Sequence, residues 1–359
     1  MKIDHNINYT KLLYIFFIFL SLSLFFFSTN KSFSKTFDIE NIDIKRPFEI
    51  NFNKSEVIDD GFKEAYDRLL SLIISSDDKK KIKKIDLSKI KGMIETFTIK
   101  EEKFINEIYY VNLGVSFNRK RVFSFLENNN IFPSIPEKKK FLFIPVIINE
   151  NNKTLLVFYE NKIYDRWDKN LIKSNLIEYI LPTEDLEDIN FLKKKYEVIE
   201  QYDFKEIIKK YSLRDSIVAL IFKDDQKVRV LSKISLNNNN ILKNQSYLDV
   251  NLSNDYEVDD IIKDLKIIYE DYWKNFNQIN TSIKLIINIK VDNYNNAKIA
   301  NFEKVLDETD LIYNYFISKF NKDFTYYQII FNGLPNVFLE KMSNRNFNFN
   351  THNKIWILE

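Results

Sequence analysis

Hydrophobic positions along this chain change their period several times, and each change marks an element. One apolar run stands apart from the rest. Residues 12–27 carry no charge, and only Tyr14, Ser21 and Ser23 break their apolar character directly behind Lys11. A run apolar on every side does not suit an amphipathic helix, and its length falls between the core of a secretory signal and the roughly 20 residues of a spanning helix. Ser32, Phe33 and Ser34 then place small side chains at the two positions a signal peptidase pocket requires. The expectation is a signal peptide over residues 1–34, cleaved before Lys35, with a retained membrane anchor as the alternative.

Beyond it, Phe37, Ile39, Ile42 and Ile44 alternate as a strand does, and a second extended stretch surrounds Phe48, Ile50 and Phe52. From Ser55 the period becomes helical. Ile58, Phe62, Ala65, Leu69 and Ile73 share one face, with Ser55 as N-cap, acidic Glu56, Asp59 and Asp60 near the positive end, and an end near Ser75. A lysine-rich loop follows, then strands over 94–103 and 109–117. In the second, Val111, Leu113, Val115 and Phe117 alternate with Tyr110, Asn112, Gly114 and Ser116, which is the pattern of a half-buried strand. Asn118 can cap a second helix that turns Val122, Phe125 and Leu126 inward. Pro133, Pro136 and Lys138 to Lys140 resist both helix and sheet, so a first module over 35–132 ends there.

Residues 141–148 are almost continuously apolar, which suits a strand buried on both faces, with a neighbour over 154–159. Helices are expected over 165–173, 186–195 and 203–211, and strands over 216–222, 227–234 and 241–250. A long helix follows, with Val258, Ile261, Ile262, Leu265, Ile268, Tyr269 and Tyr272 as its stripe and Asp255 as its cap. These elements make a middle module over 138–278, a central sheet flanked by helices. The last module, over 280–359, repeats the first one's order. A strand over 283–291 is followed by a helix carrying Phe302, Val305 and Leu306, strands over 311–318 and 324–331, a helix with Val337, Phe338 and Met342, and short strands over 347–349 and 355–358. That order packs as one antiparallel sheet with two helices on one face. The fold class expected is therefore mixed α+β and α/β in three small modules, the outer two ferredoxin-like with βαββα order.

Composition narrows the chemistry. At 45% hydrophobic and 15% aromatic residues the chain has enough apolar surface to be globular. A net charge of +2, from 53 basic and 51 acidic residues, gives no electrostatic footprint for nucleic acid. The lysine clusters at Lys79 to Lys81 and Lys138 to Lys140 read as solvated loops. Without cysteine there are no disulfides, thiolate metal sites or thiol nucleophiles in this chain. The only histidines are His5 and His352, which leaves no basis for a histidine triad, and no metal-ligand spacing is present. Four scattered glycines make neither a phosphate-cradling loop nor a dinucleotide fingerprint, so no cofactor is expected.

Two clusters remain. Asp165-Arg166-Trp167-Asp168 places Trp167 beside Arg166 at an expected helix start, as an exposed recognition patch would. Glu184, Asp185, Glu187 and Asp188 follow Pro182-Thr183 and read either as the acidic first turn of a helix, complementing its dipole, or as a carboxylate pair for hydrolysis. Arg166, Trp167, Asp185, Glu187 and Asp188 are thus the candidate partner or ligand contacts. No residue is assigned to catalysis, cofactor or metal.

Leu181-Pro182-Thr183-Glu184-Asp185-Leu186-Glu187-Asp188 resembles the exported bacterial family known as domain of unknown function 2066, in which a strand ending in Leu-Pro leads into an acidic helix start. Ala65, Arg68 and Leu69, the strand ending Val115-Ser116-Phe117, and the strand over 141–148 match in the same order. The small and glycine residues usual in that family are missing around Asp77 and Asp78 and over 211–215. The resemblance implies an exported envelope protein of a Gram-negative bacterium, and it brings no catalytic residues. A broader likeness, of fold alone, is to envelope assembly proteins built from small α/β modules, such as those at the flagellar base and the amino-terminal module of the Tol translocation β-propeller protein.

The function expected is a non-catalytic periplasmic interaction or assembly protein. Its partner would be an envelope protein or a peptidoglycan-associated one, with no nucleic acid, and with membrane contact through residues 12–27 only if the signal is kept, the chain then being anchored in the inner membrane. The alternatives are a carboxylate-dependent envelope hydrolase using Asp185 or Glu187, and a carrier of a hydrophobic ligand with an apolar pocket in the middle module.

Overall fold

The computed structural model describes residues 36–82, 85–169, 176–224 and 227–359. The expected signal segment lies outside the described residues, as does the part of the 165–173 helix beyond 169. Among the described residues, ten α-helices and fourteen strands build three sheets, the three-module α+β arrangement expected. No described helix is long and apolar enough to cross a membrane.

The first module runs β1 (Thr36–Pro47), α1 (Lys54–Ile73), α2 (Ser76–Lys81), α3 (Leu87–Met93), β2 (Ile94–Ile105), β3 (Ile108–Asn118) and α4 (Arg119–Asn128). β3 is central and antiparallel to both neighbours, in the order β1-β3-β2. β1 is a single strand with a bulge between Ile39 and Ile42, where Asn41 takes φ 56°, a left-handed conformation that asparagine tolerates. The second extended stretch around Phe48 to Phe52 is a turn. Asn53, not Ser55, caps α1, and its side chain accepts the Ser55 N–H at 3.0 Å. Part of the expected lysine loop is α2, which Ser75 caps by accepting the Asp78 N–H at 3.1 Å. Phe62, Ala65, Leu69 and Ile73 of α1 meet Leu113, Val115 and Phe117 of β3 and Val122 and Leu126 of α4 in one core.

In the middle module, β4 (Lys139–Asn149) pairs parallel with β6 (Ile177–Ile180) and with β7 (Ser216–Lys223), and antiparallel with β5 (Thr154–Leu156). β8 (Lys227–Leu236) and β9 (Asn239–Leu248) extend the sheet as antiparallel hairpins. β4 feeds two cores in alternation, which is why it is apolar throughout. Phe141, Phe143 and Ile147 pack with α5 (Lys162–Trp167) and α8 (Asp255–Phe276). Leu142, Ile144, Val146 and Ile148 pack with α6 (Leu186–Lys194) and α7 (Lys205–Lys209) on the opposite face. Asn254, one residue before the expected cap, caps α8 by accepting the Tyr256 N–H at 3.0 Å.

The last module contains β10 (Leu285–Asp292), α9 (Asn296–Glu308), β11 (Ile312–Phe320), β12 (Phe324–Phe331), α10 (Pro335–Ser343), β13 (Phe349–Asn350) and β14 (Trp356–Leu358), in the sheet order β11-β12-β10-β14-β13. The sheet is not wholly antiparallel, as its element order suggested. The final hairpin reverses the chain once more, so β14 enters beside β10 and runs parallel to it. The modules are tied where they meet. The Ser134 N–H donates to Ile73 O at 2.6 Å, the Ile279 N–H to Pro133 O at 2.7 Å, and the Ser76 N–H to Asp271 Oδ1 at 2.9 Å, while Arg119 forms an ion pair with Asp310.

Candidate interaction surface

The Arg166–Trp167 pair is not an exposed patch. α5 begins at Asn161, a buried cap that accepts the Ile163 and Tyr164 N–H groups at 2.9 and 3.2 Å, and one turn later this start directs Trp167 into the core. Trp167 is 0% exposed, its ring stacked on Phe143 at 3.7 Å and edge-on to Tyr179 at 5.1 Å. Burying so large an apolar ring outweighs displaying it. Arg166 ties α5 to α8 by a two-pronged pair, Nε to Asp259 Oδ1 at 2.7 Å and Nη2 to Asp259 Oδ2 at 2.6 Å, with Nη1 on Asp255 at 2.7 Å. Its role is to fix two helices together.

The acidic cluster is a helix start. Asp185 is the cap of α6 and accepts the Glu187 N–H at 2.8 Å, while Lys210 Nζ donates to both Asp185 Oδ2 and Asp188 Oδ1 at 2.7 Å. The hydrogen bond from Lys210, with the backbone N–H beside it, pulls the Asp185 pKa below the ordinary carboxylate value. A carboxylate so held is a poor proton donor, which runs against the hydrolytic acid considered for it. Asp188 is buried, and its Oδ2 has no hydrogen-bond partner among the described residues. Glu187 is exposed on the first turn. His352 lies in an exposed bend, and no group of side chains among the described residues is arranged to hold a metal ion.

Three buried charges on α8, Lys266, Glu270 and Lys274, were not expected from its apolar stripe. Lys266 Nζ donates to Trp167 O at 2.8 Å and lies 5.0 Å above the Trp167 ring, and burial lowers its pKa. Glu270 accepts the Leu176 and Ile177 N–H groups at 3.0 and 2.8 Å, and burial raises its pKa. All three continue the apolar stripe at i+4 spacing from Ile262. Lys266 docks α5 onto α8, Glu270 docks β6 onto it, and Lys274, whose Nζ donates to Ser71 O at 3.0 Å, ties α8 to α1, all structural uses.

What the sheets leave open is their edges. β2, β9 and β11 each end a sheet and have no strand on their outer side among the described residues. β2 exposes Phe97, Ile99 and Phe104 to 45, 40 and 57%. Leu242 and Leu248 of β9, and Phe316, Ile317 and Phe320 of β11, are exposed likewise. β1 is also an edge, yet Phe37, Ile39 and Ile42 are buried against the helices. β2 and β11 hold the same place in their modules, the second strand of a βαββ unit, and each breaks register within its length, β2 near Lys100 and β11 near Ser318. Phe97 reaches back to Phe62 of α1 at 5.1 Å, and Lys54 of α1 bonds Glu102 at 2.7 Å, so two side-chain contacts link β2 to α1. The jump in apolar phase from Phe97 and Ile99 to Phe104 was the sequence signal of that bulge.

On the first sheet a groove of about 860 Å³ is lined by Asp43, Lys45, Glu101, Lys103, Tyr110 and Asn112, among others. Its charges are largely paired. Asn112 donates to Asp43 at 2.7 Å, Lys45 lies over Tyr110, and Glu101 bonds Lys103. No protein-family model matches this chain, and no curated protein sequence matches it.

Proposed function

We propose that this chain is an exported, non-catalytic interaction or assembly protein of the bacterial envelope, which works in the periplasm and takes up extended partner segments along its open strand edges. One observation carries this reading: three sheets each end in a long strand whose backbone groups and apolar side chains face outward together. Strand addition uses both, main-chain hydrogen bonds for affinity and alternate side chains for selectivity. The apolar run over 12–27, with Ser32-Phe33-Ser34 behind it, supports export. The resemblance to domain of unknown function 2066 supports the same address. Cross-linking in intact cells followed by affinity capture should recover a specific envelope or peptidoglycan-associated protein joined at β2, β9 or β11. Recovery of none in several mild detergents contradicts the reading. Amino-terminal sequencing should begin at Lys35, and an intact Met1 contradicts signal cleavage.

A further inference from the structure

Of the three open edges, β2 alone carries both signs of charge. β9 and β11 each hold one lysine, Lys243 and Lys319, and no acid, which guards an edge against other strands. β2 holds Lys100, Glu101, Glu102 and Lys103 in the order plus, minus, minus, plus, bracketed by Phe97 and Phe104. Turned end for end about the point between Lys100 and Glu101, the strand sets Lys100 against Glu101 and Phe97 against Phe104, with Ile99 against Glu102 and Thr98 against Lys103.

The bulge makes the match possible. In the ladder with β3, Phe97, Ile99, Glu102 and Phe104 stand opposite Val115, Leu113, Val111 and Tyr109, residues of the helix-covered face. Thr98, Glu101 and Lys103 stand opposite Gly114, Asn112 and Tyr110 on the other face, and Lys100 is the extra residue. In a regular strand, residues an odd number apart point to opposite faces and cannot be paired by a two-fold axis normal to the sheet. With Lys100 inserted, Phe97 and Phe104 share a face, as do Thr98 and Lys103.

We propose that β2 pairs antiparallel with β2 of a second copy of this chain, about a two-fold axis between Lys100 and Glu101. Lys100 then faces Glu101 of the second copy, and Phe97 faces Phe104 of the second copy, each contact occurring twice as an isologous interface requires. Two three-stranded sheets become one of six strands, and the exposed Phe97, Ile99 and Phe104 are covered. Within one chain Lys100 pairs with Glu40 and Glu101 with Lys103, all four side chains well exposed. Such exposed pairs contribute little, so exchanging them for contacts across the axis costs little. The proposal rests on the use of open edges argued above and names the occupant of one of them.

The chain has no cysteine, so introduced thiols are the only ones present. Thr98 and Lys103 of the second copy would lie directly opposite, where Cβ atoms are about 4.5–5.5 Å apart and a disulfide closes with slight movement. The full chain carrying Thr98→Cys with Lys103→Cys, oxidised mildly in intact cells, should run as a disulfide-linked dimer on a non-reducing gel, and either single variant should give only a trace. Adding Lys100→Glu should weaken the dimer about tenfold, and adding Glu101→Lys to that variant should restore it. Rescue by the second reversal separates pairing from a folding defect. No dimer from the double-cysteine variant with wild-type circular dichroism overturns the proposal. So does equal cross-linking by the single variants, or indifference to charge reversal. A disulfide-independent adduct of β2 with a different protein overturns self-pairing while leaving partner capture standing.

Discussion

Replacing Trp167 with alanine separates a core residue from a recognition residue. The side chain is wholly buried, stacks on Phe143 at 3.7 Å and meets Tyr179 edge-on at 5.1 Å. Truncating a buried tryptophan costs about 3–5 kcal/mol, of which each aromatic pair supplies about 0.5–1.5 kcal/mol. The Lys266 ammonium also loses the ring beneath it. Trp167→Phe should be milder, about 1–2 kcal/mol, because it keeps a ring on Phe143 and removes an indole N–H that has no hydrogen-bond partner among the described residues. Urea unfolding followed by tryptophan emission in a Trp356→Phe background reads the same core through Trp273, which belongs to it. At a slope of about 2 kcal/mol per molar urea, Trp167→Ala should lower the midpoint by about 2 M and Trp167→Phe by less than about 1 M. A midpoint unchanged in Trp167→Ala, together with lost partner capture, would refute the buried role.

Other substitutions test neighbouring claims. Asn161→Ala should destabilise by about 2–4 kcal/mol in the same urea assay, because the side chain caps α5 and also donates to Pro145 O at 3.0 Å from a fully buried position. Gly61→Ala should cost about 1–3 kcal/mol despite alanine's better helix propensity, since the new Cβ would meet the Leu113 Cδ1 methyl well inside van der Waals contact; a stabilised variant would show that β3 yields there. Asp185→Ala should cost about 1 kcal/mol as a lost cap and leave partner capture intact. Glu270→Gln tests a pH effect. Burial raises the folded pKa of Glu270, so its contribution to stability is full below the ordinary glutamate value and is lost as pH rises through the folded value. The stability difference between Glu270→Gln and wild type should therefore change across that rise, and a difference flat with pH contradicts it.

Much of the fold was legible because burial sets the period. β12 and α9 lie where alternation and the helical stripe place them, and β4 is apolar on both faces because cores lie on both sides of it. What escaped was decided by partners distant in sequence. Trp167 follows a polar start and looks free to face water, yet Phe143 and Tyr179 arrive from other strands to enclose it. Caps shifted by one or two residues at Asn53 and Asn254 because asparagine and the residue expected are both good caps, and spacing alone does not rank them. The parallel β14 depends on a final hairpin too short for periodicity to orient. The edges were hidden for the same reason, since a strand's place in a sheet is set by its neighbours and not by its own pattern.

The use of those edges is tested most directly by a photo-reactive residue placed singly along the chain in intact cells. Phe97, Leu242 and Phe316 sample the three edges, and Tyr256 and Tyr294 are controls more exposed than any of them, at 82 and 86%. Discrete adducts from the edge positions and none from the controls are the predicted result. Adducts that follow exposure alone, or none from any edge, would contradict it.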